Sequence, residues 1–270
     1  MKAADVLPPL PLIMVAPNGA RRTKADHPAL PMTIGETVAT AKACFEAGAG
    51  GLHAHVRDEN GEHVMNPDLY RELIKKMRAE VPVMQVQITT EAVGKYSADD
   101  QRKLVKDVEP DAVSIAIREM IPDGDTKAAQ EFYSWALGKG IAVQHILYSV
   151  EDVGRFFGLV SIGVIPGRNH QVLFVLGRYS VNQESAPKDL DPFLQVLADL
   201  KVDLEIDWAA CAFGRLETDC LVYAIEQGGK ARIGFENNLW NKSGALAKDN
   251  TDRVHDLVSA LRQKNLYQAA

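Results

Sequence analysis

A repeated alternation constrains this chain more than any single motif does. Short apolar runs of strand length occupy residues 12–15, 51–55, 83–88, 112–117, 141–147, 172–176, 204–208 and 231–235. Each is followed by a segment with helical spacing of apolar residues, and several of these open on a capping signal. Thr33 with Glu36 has capping-box spacing; Val38, Ala41, Cys44 and Phe45 then share one face of a helix that stops at Gly48. Asn66-Pro67 places a cap before a proline at the first helical position. Ser97 with Asp100 and Ser149 with Asp152 open two further helices. The remaining helices are expected over residues 126–137, 190–200, 216–227 and 251–264. Largely apolar strands that alternate with helices predict a parallel sheet covered by helices. Eight such units in about 250 residues is the arithmetic of an α/β, (β/α)8 TIM barrel, read as one barrel domain over residues 1–270. An open doubly wound sheet is the competing layout. It favours a Gly-x-Gly-x-x-Gly loop after the first strand, and Pro17-Asn18-Gly19-Ala20 is no such loop.

Composition narrows the function. A net charge of −6 gives no basic face for nucleic acid. No apolar run reaches the roughly 18 residues of a membrane span, and the first eleven residues do not make a signal peptide. Cys44, Cys211 and Cys220 lie in apolar surroundings, which predicts buried thiols and a reducing, cytoplasmic setting.

In such a barrel the active site lies at the C-terminal ends of the strands. Strand one offers Asn18 and Arg21 there; strand two offers His53 and His55, two residues apart and so on one face. Strand three offers Thr89 and Thr90, strand four Ser114, and strand eight Glu236, Asn237 and Asn238, with Arg232 four residues earlier on the same face. Strands two and eight flank strand one in a closed barrel, so Glu236 can approach both histidines. Two histidines and a carboxylate can hold a divalent cation with positions open to water or substrate. Zinc suits these ligands best; manganese, iron and cobalt stay open. Arg57 and Asp58 read as an ion pair, and His63, His145, His170 and His255 as ordinary histidines.

The runs Pro28-Ala29-Leu30-Pro31-Met32-Thr33, Phe45-Glu46-Ala47-Gly48-Ala49 and His53-Ala54-His55-Val56-Arg57-Asp58 resemble the β-keto acid cleavage enzymes. So does Arg232-Ile233-Gly234-Phe235-Glu236-Asn237-Asn238-Leu239, which is similar to that family's Arg-x-Gly-x-Glu-Asp-Asn signature. The resemblance implies a zinc-dependent enzyme that reacts a β-keto acid with acetyl-CoA, giving acetoacetate and a new acyl-CoA. It implies His53, His55 and Glu236 as metal ligands, Arg232 and Asn237 at the catalytic positions, and Arg21, Thr89, Thr90 and Ser114 against the keto acid. It also implies a homo-oligomer, a tetramer among the options. Three positions depart from the aminohexanoate-cleaving members: Asn237 stands for an aspartate, Arg21 for a glutamate, and Glu91-Ala92 for a Gly-Gly pair. An arginine repels an amino group, so the far end of the substrate is expected to be neutral or anionic. Two other readings of the same barrel stay open: a metal-dependent aldolase or hydrolase, and a degenerate barrel that binds a small acid without turnover.

Overall fold

The structure, a computed structural model, describes residues 7–122, 124, 126–199 and 204–267. Eight parallel strands close into a barrel in sequence order. They are β1 (Ile13–Val15), β2 (Gly51–Ala54), β3 (Gln85–Thr89), β4 (Ala112–Ala116), β5 (Ala142–Leu147), β6 (Asn169–Leu176), β7 (Glu205–Ala212) and β8 (Lys230–Ile233). Around them run α1 (Ile34–Glu46), α2 (Pro67–Glu80), α3 (Ala98–Val108), α4 (Ile117–Met120), α5 (Thr126–Lys139), α6 (Val150–Ser161), α7 (Asp191–Asp199), α8 (Glu217–Glu226) and α9 (Asn250–Gln263). The expected TIM barrel is the observed fold. No helix among the described residues is long and apolar enough to cross a membrane.

The local signals act as their chemistry predicts. Thr33 and Glu36 close a reciprocal capping box on α1, and Ser97 and Asp100 do the same on α3. The Asn66 side chain accepts from the backbone amides of Asp68 and Leu69 at the start of α2, and Ser149 accepts from Asp152 N on α6. Several ends differ from the sequence expectation. Strand β3 starts at Gln85, because residues 81–84 turn, with Met84 N donating to Val81 O; Val83 is 76% exposed. Strand β7 runs on to Ala212 through four small buried residues that carry little strand signal. Ile117, expected to end β4, instead begins the single turn α4. The expected end of the α7 helix at Leu200 lies outside the described residues.

The main core fills the layer between strands and helices, with Leu52, Ile88, Val113 and Phe174 packed with Leu73, Met77, Phe132 and Leu257. There His145 leans on Tyr133 and Phe156, and His170 on Phe156. Inside the barrel a smaller apolar set, with Leu10, Ile146, Leu173, Val175 and Phe213, shares the space with buried Gln87, Gln144, Gln171, Ser114 and Arg232. Polar interior positions are costly unless paired. The segment before β1 contributes to that pairing: Leu10 N donates to Asp207 Oδ2 at 2.7 Å and Gln171 Nε2 to Pro8 O at 2.7 Å.

Strand β8 stops at Ile233, two residues before its expected end, because Gly234 takes φ +144°. A Cβ there would stand 2.4 Å from Ala16 O. We expect Gly234→Ala to cost about 2–4 kcal/mol and to lower the melting temperature by roughly 5–15 °C; an unchanged melt contradicts this close approach.

Burial pushes the His145 imidazole from 6.5 down to about 3. Well above pH 6.5 it is neutral folded and unfolded, so it adds no pH dependence there. Below that, the unfolded chain takes up a proton that the folded one refuses, and stability falls with pH by about 1.4 kcal/mol per unit. Urea unfolding at pH 7, 6 and 5 should show His145→Leu losing one proton's worth of this slope. An identical slope in both proteins contradicts it.

Candidate active site

At the C-terminal end of the barrel a cavity opens between His53 on β2 and the loops after β1, β3, β5, β6, β7 and β8. His53, on β2, and His55, just past its end, both present Nε2 to Glu236. His53 Nε2 stands 3.5 Å and His55 Nε2 3.9 Å from Glu236 Oε2, and the three ligand atoms lie within 4.8 Å of one another. His55 Nε2 and Glu236 Oε2 are buried and have no hydrogen-bond partner.

Groups behind the histidines explain why these atoms are free. His53 pairs with Gln87 across the β2–β3 ladder, and Gln87 Oε1 lies 2.8 Å from His53 Nδ1. Gln87 Nε2 donates to Gln144 Oε1 at 3.0 Å, and Gln144 Nε2 to Val172 O at 3.4 Å. That direction turns the Gln87 oxygen toward His53, so Nδ1 carries the proton and Nε2 a lone pair. His55 is set in the same sense. Its Nδ1 lies 3.3 Å from His63 Nδ1, while His63 Nε2 donates to Glu91 O at 3.1 Å. His63 Nδ1 must then accept, His55 Nδ1 must donate, and His55 Nε2 is again the free acceptor. Burial first, then the Arg232 charge, drives the His53 pKa well below its ordinary value. Burial does the same to His55, against the pull of Glu236. Both imidazoles therefore stay neutral, the form in which histidine binds a metal. These orphaned, neutral, converging donors fit a divalent cation.

Glu236 reaches this place by a turn rather than on the strand. Its own N–H donates to Ala16 O at 3.1 Å. Phe235 N donates to Asn250 Oδ1 at 2.9 Å, and Asn250 Nδ2 to Pro17 O at 3.0 Å. Gly234 N donates to Glu217 Oε1 at 3.3 Å, and Glu217 pairs with Arg253 at 2.9 Å, both side chains fully buried. From the other side Arg22 donates to Phe235 O and Asn237 O. Gly19, at φ +63°, leaves room for Glu236, whose Cγ would lie 2.7 Å from a Cβ there.

Arg232 lines the cavity from β8. One nitrogen, Nη2, meets Glu236 Oε1 at 3.3 Å and Cys211 Sγ at 3.6 Å; Nε and Nη1 have no partner. Burial works against its charge, but Glu236 and Cys211 outweigh it and raise its pKa. Arg21 and Thr89 also line the cavity. Ser114, opposite Thr89 in the β3–β4 register, has a buried hydroxyl without a partner. Thr90 does not line the cavity; its hydroxyl donates to Ser114 O at 3.3 Å. Asn237 is buried beside Glu236, off the cavity wall, with both amide atoms unpartnered. Asn18 serves as an anchor, donating to His55 O at 3.0 Å. The expected Arg57–Asp58 ion pair is not formed. Arg57 donates instead to Gly19 O, Arg22 O and Gly61 O, tying the β1 loop to β2.

Five further residues shape the site. Gln87 and His63 set the two tautomers. Tyr148, Arg178 and Glu91 line the cavity, and Arg178 sits 3.9 Å from Glu91. Burial first, and then Glu236, pushes the Glu91 carboxyl up to about 7. Arg178 and Tyr148 each follow a strand, β6 and β5, and the strand-end rule that picked out His53 applies to them equally. Gln87 lies two residues before Thr89 on the same face of β3.

The description "beta-keto acid cleavage enzyme" belongs to a family whose sequence profile matches residues 11–269. The 3-oxoadipate:acetyl-CoA acetyltransferase of Cupriavidus necator is 26% identical over 260 residues, covering 92% of this chain and 87% of that protein. The 3-keto-5-aminohexanoate cleavage enzyme of Fusobacterium nucleatum is 26% identical over 259 residues, covering 93% and 91%. Among solved structures, apo ObcA superposes with a TM-score of 0.70 at 15% identity, which is a likeness of fold; it covers 88% of this chain, and the chain spans 63% of its length.

If Gln87 fixes the His53 tautomer, Gln87→Met should weaken retention of an added divalent cation roughly 10- to 100-fold with His53, His55 and Glu236 unchanged. Competition with a chromophoric chelator measures this. Retention equal to that of the unsubstituted protein would show that the amide has no such role.

Proposed function

The chain belongs to the beta-keto acid cleavage enzyme family, and from that premise we propose a zinc-dependent exchange of acyl groups at the cavity just described. A β-keto acid, R–CO–CH2–COO⁻, and acetyl-CoA give acetoacetate and R–CO–S-CoA. The C2–C3 bond of the keto acid breaks, a bond from C2 to the acetyl carbon forms, and the CoA sulfur moves from acetyl to R–CO. The observation that carries this reading is the convergence of His53 Nε2, His55 Nε2 and Glu236 Oε2 beside the free N–H groups of a buried arginine.

His53, His55 and Glu236 would hold the cation; when bound, it supplies polarisation of the keto oxygen. The protein's own groups supply the rest. Arg232 offers Nε–H and Nη1–H, neither used within the protein, to the substrate carboxylate or the negative charge that develops on oxygen. These donors sit where water is scarce, and their attraction for an anion is correspondingly strong. Thr89 Oγ1 already accepts from Glu91 N, which leaves its O–H to donate into the cavity. The buried hydroxyl of Ser114 is unpartnered but, like Thr90, stands off the cavity wall, and Arg21 faces the substrate's far end. Thr90 supports the Ser114 backbone, and Asn237, an amide, takes no proton.

Arg21 on the cavity wall favours a keto acid whose far end is neutral or anionic. The Cupriavidus relative carries 3-oxoadipate, a dianion, in its name. Three free buried cysteines support a reducing, cytoplasmic setting. We extend the reading to a homo-oligomer on the strength of the family alone.

The test is a panel of β-keto acids with acetyl-CoA, read as acetoacetate formed by the zinc-loaded protein. We expect kcat/KM for carboxylated or uncharged members to exceed that for an amino-bearing one by roughly tenfold or more, as a buried like charge costs over 1.4 kcal/mol. Chelation should abolish turnover, and zinc should restore it in the unsubstituted protein but not in His53→Ala. No acetoacetate from any member contradicts the reaction; preference for the amino-bearing acid contradicts the specificity.

A further inference from the structure

The loop after β3 brings a second carboxylate to the histidines. Glu91 is gripped through its backbone on both sides: its N–H donates to Thr89 Oγ1 at 3.1 Å, and its carbonyl accepts from His63 Nε2 at 3.1 Å. Two residues on, Val93 has φ +48°, a left-handed conformation that a β-branched residue rarely adopts. This path aims the Glu91 side chain into the cavity, where it is 24% exposed. Its Oε2 lies 3.8 Å from His55 Nε2, and Glu236 Oε2 lies 3.9 Å from the same nitrogen. Two carboxylates thus flank one buried, unpartnered acceptor at equal range. Ligands at about 2.0–2.2 Å from a tetrahedral zinc stand about 3.3–3.6 Å from each other. Either carboxylate is therefore a small shift from sharing an ion with His55. The other Glu91 oxygen, Oε1, lies 3.9 Å from Arg178 Nη2, beyond hydrogen-bond reach. The side chain hangs between two alternative partners and is committed to neither.

We propose that Glu91 is a fourth, exchangeable ligand of the cation held by His53, His55 and Glu236, an inference that rests on the metal site proposed above. At rest Glu91 closes the coordination shell. When a keto acid takes that position, the carboxylate turns to Arg178, which receives it as an ion pair. The side chain has the reach for both, because one oxygen already stands 3.8 Å from His55 Nε2 and the other 3.9 Å from Arg178 Nη2. Arg178 therefore competes with the metal for one carboxylate, so the two interactions are coupled.

Cobalt(II), added to the metal-free full-length protein, serves as the probe. Retention is measured by competition with a chromophoric chelator, and geometry by the visible absorption band. The unsubstituted protein is compared with Glu91→Gln, Arg178→Ala, the double variant, and His53→Ala as the control for the site itself. Glu91→Gln should loosen cobalt roughly 10- to 100-fold and change the band. Arg178→Ala should tighten cobalt, and the tightening should shrink or vanish when Glu91 is already glutamine, which separates competition for the carboxylate from general charge removal. Retention and spectrum unchanged in Glu91→Gln overturn the proposal. So does tightening by Arg178→Ala that is equal in both backgrounds. An unsubstituted protein that holds cobalt no better than His53→Ala overturns the metal site itself, and this ligand with it.

Discussion

The site depends on two histidines held neutral with their Nε2 lone pairs pointing at one carboxylate. Left to itself a buried imidazole chooses the tautomer that suits its neighbours, and a partnerless nitrogen costs about 1–3 kcal/mol. Here each ring is held from behind by a relay with only one consistent direction. For His53 the relay is Gln87 and Gln144, across β3 and β5; for His55 it is His63 and the Glu91 carbonyl. Apolar interior side chains would stabilise the barrel better. The polar ones accept that cost in exchange for a defined proton position at each ring.

The third member, Glu236, is held by a different means. It lies beyond the end of β8, on a turn whose backbone is bonded to Ala16, Asn250, Glu217 and Arg22. Behind the turn, Glu217 and Arg253 form an ion pair closed to solvent, with Thr218 and Asn241 as further partners of the arginine. A buried pair of this kind contributes little net stability against an apolar replacement, yet losing one member strands a charge at about 3–5 kcal/mol. It is better understood as a device for position. The αL glycine at residue 19 and the Gly234 bend complete the arrangement, one making room for Glu236 and the other bringing its backbone against β1.

Much of this was legible in the sequence because it follows short-range rules. Alternation of apolar runs and capped helices specifies the barrel, and period-two spacing places His53 and His55 together. Closure of the barrel brings Glu236 to them, and the family resemblance points to the reaction. What escaped depends on long-range pairing. Nothing local marks His63 as the partner of His55, since the contact arises from the fold-back of the loop between β2 and α2. Arg57 sits next to Asp58 in the chain, yet its guanidinium turns to three carbonyls, because unpaired backbone oxygens in a buried loop need donors, whereas Asp58 Oδ1 already accepts from Asn60 N and Glu62 N. Arg178 and Tyr148 obey the strand-end rule, but they follow the apolar strands β6 and β5, and nothing in their local sequence marks them as facing the cavity. Strand β8 ends short of Phe235, which has the apolar aromatic character of a strand residue, because Gly234 before it adopts a φ no strand allows.

The proposed chemistry depends on where a cation binds and through which atoms. Crystals of the zinc-loaded protein, with anomalous difference maps on either side of the zinc edge, test it directly. One peak per chain is expected at the mouth of the barrel, bonded to His53 Nε2, His55 Nε2 and a Glu236 carboxylate oxygen, with Nδ1 of each ring still facing Gln87 and His63. A peak bonded through Nδ1, or no peak between these three residues, would contradict it.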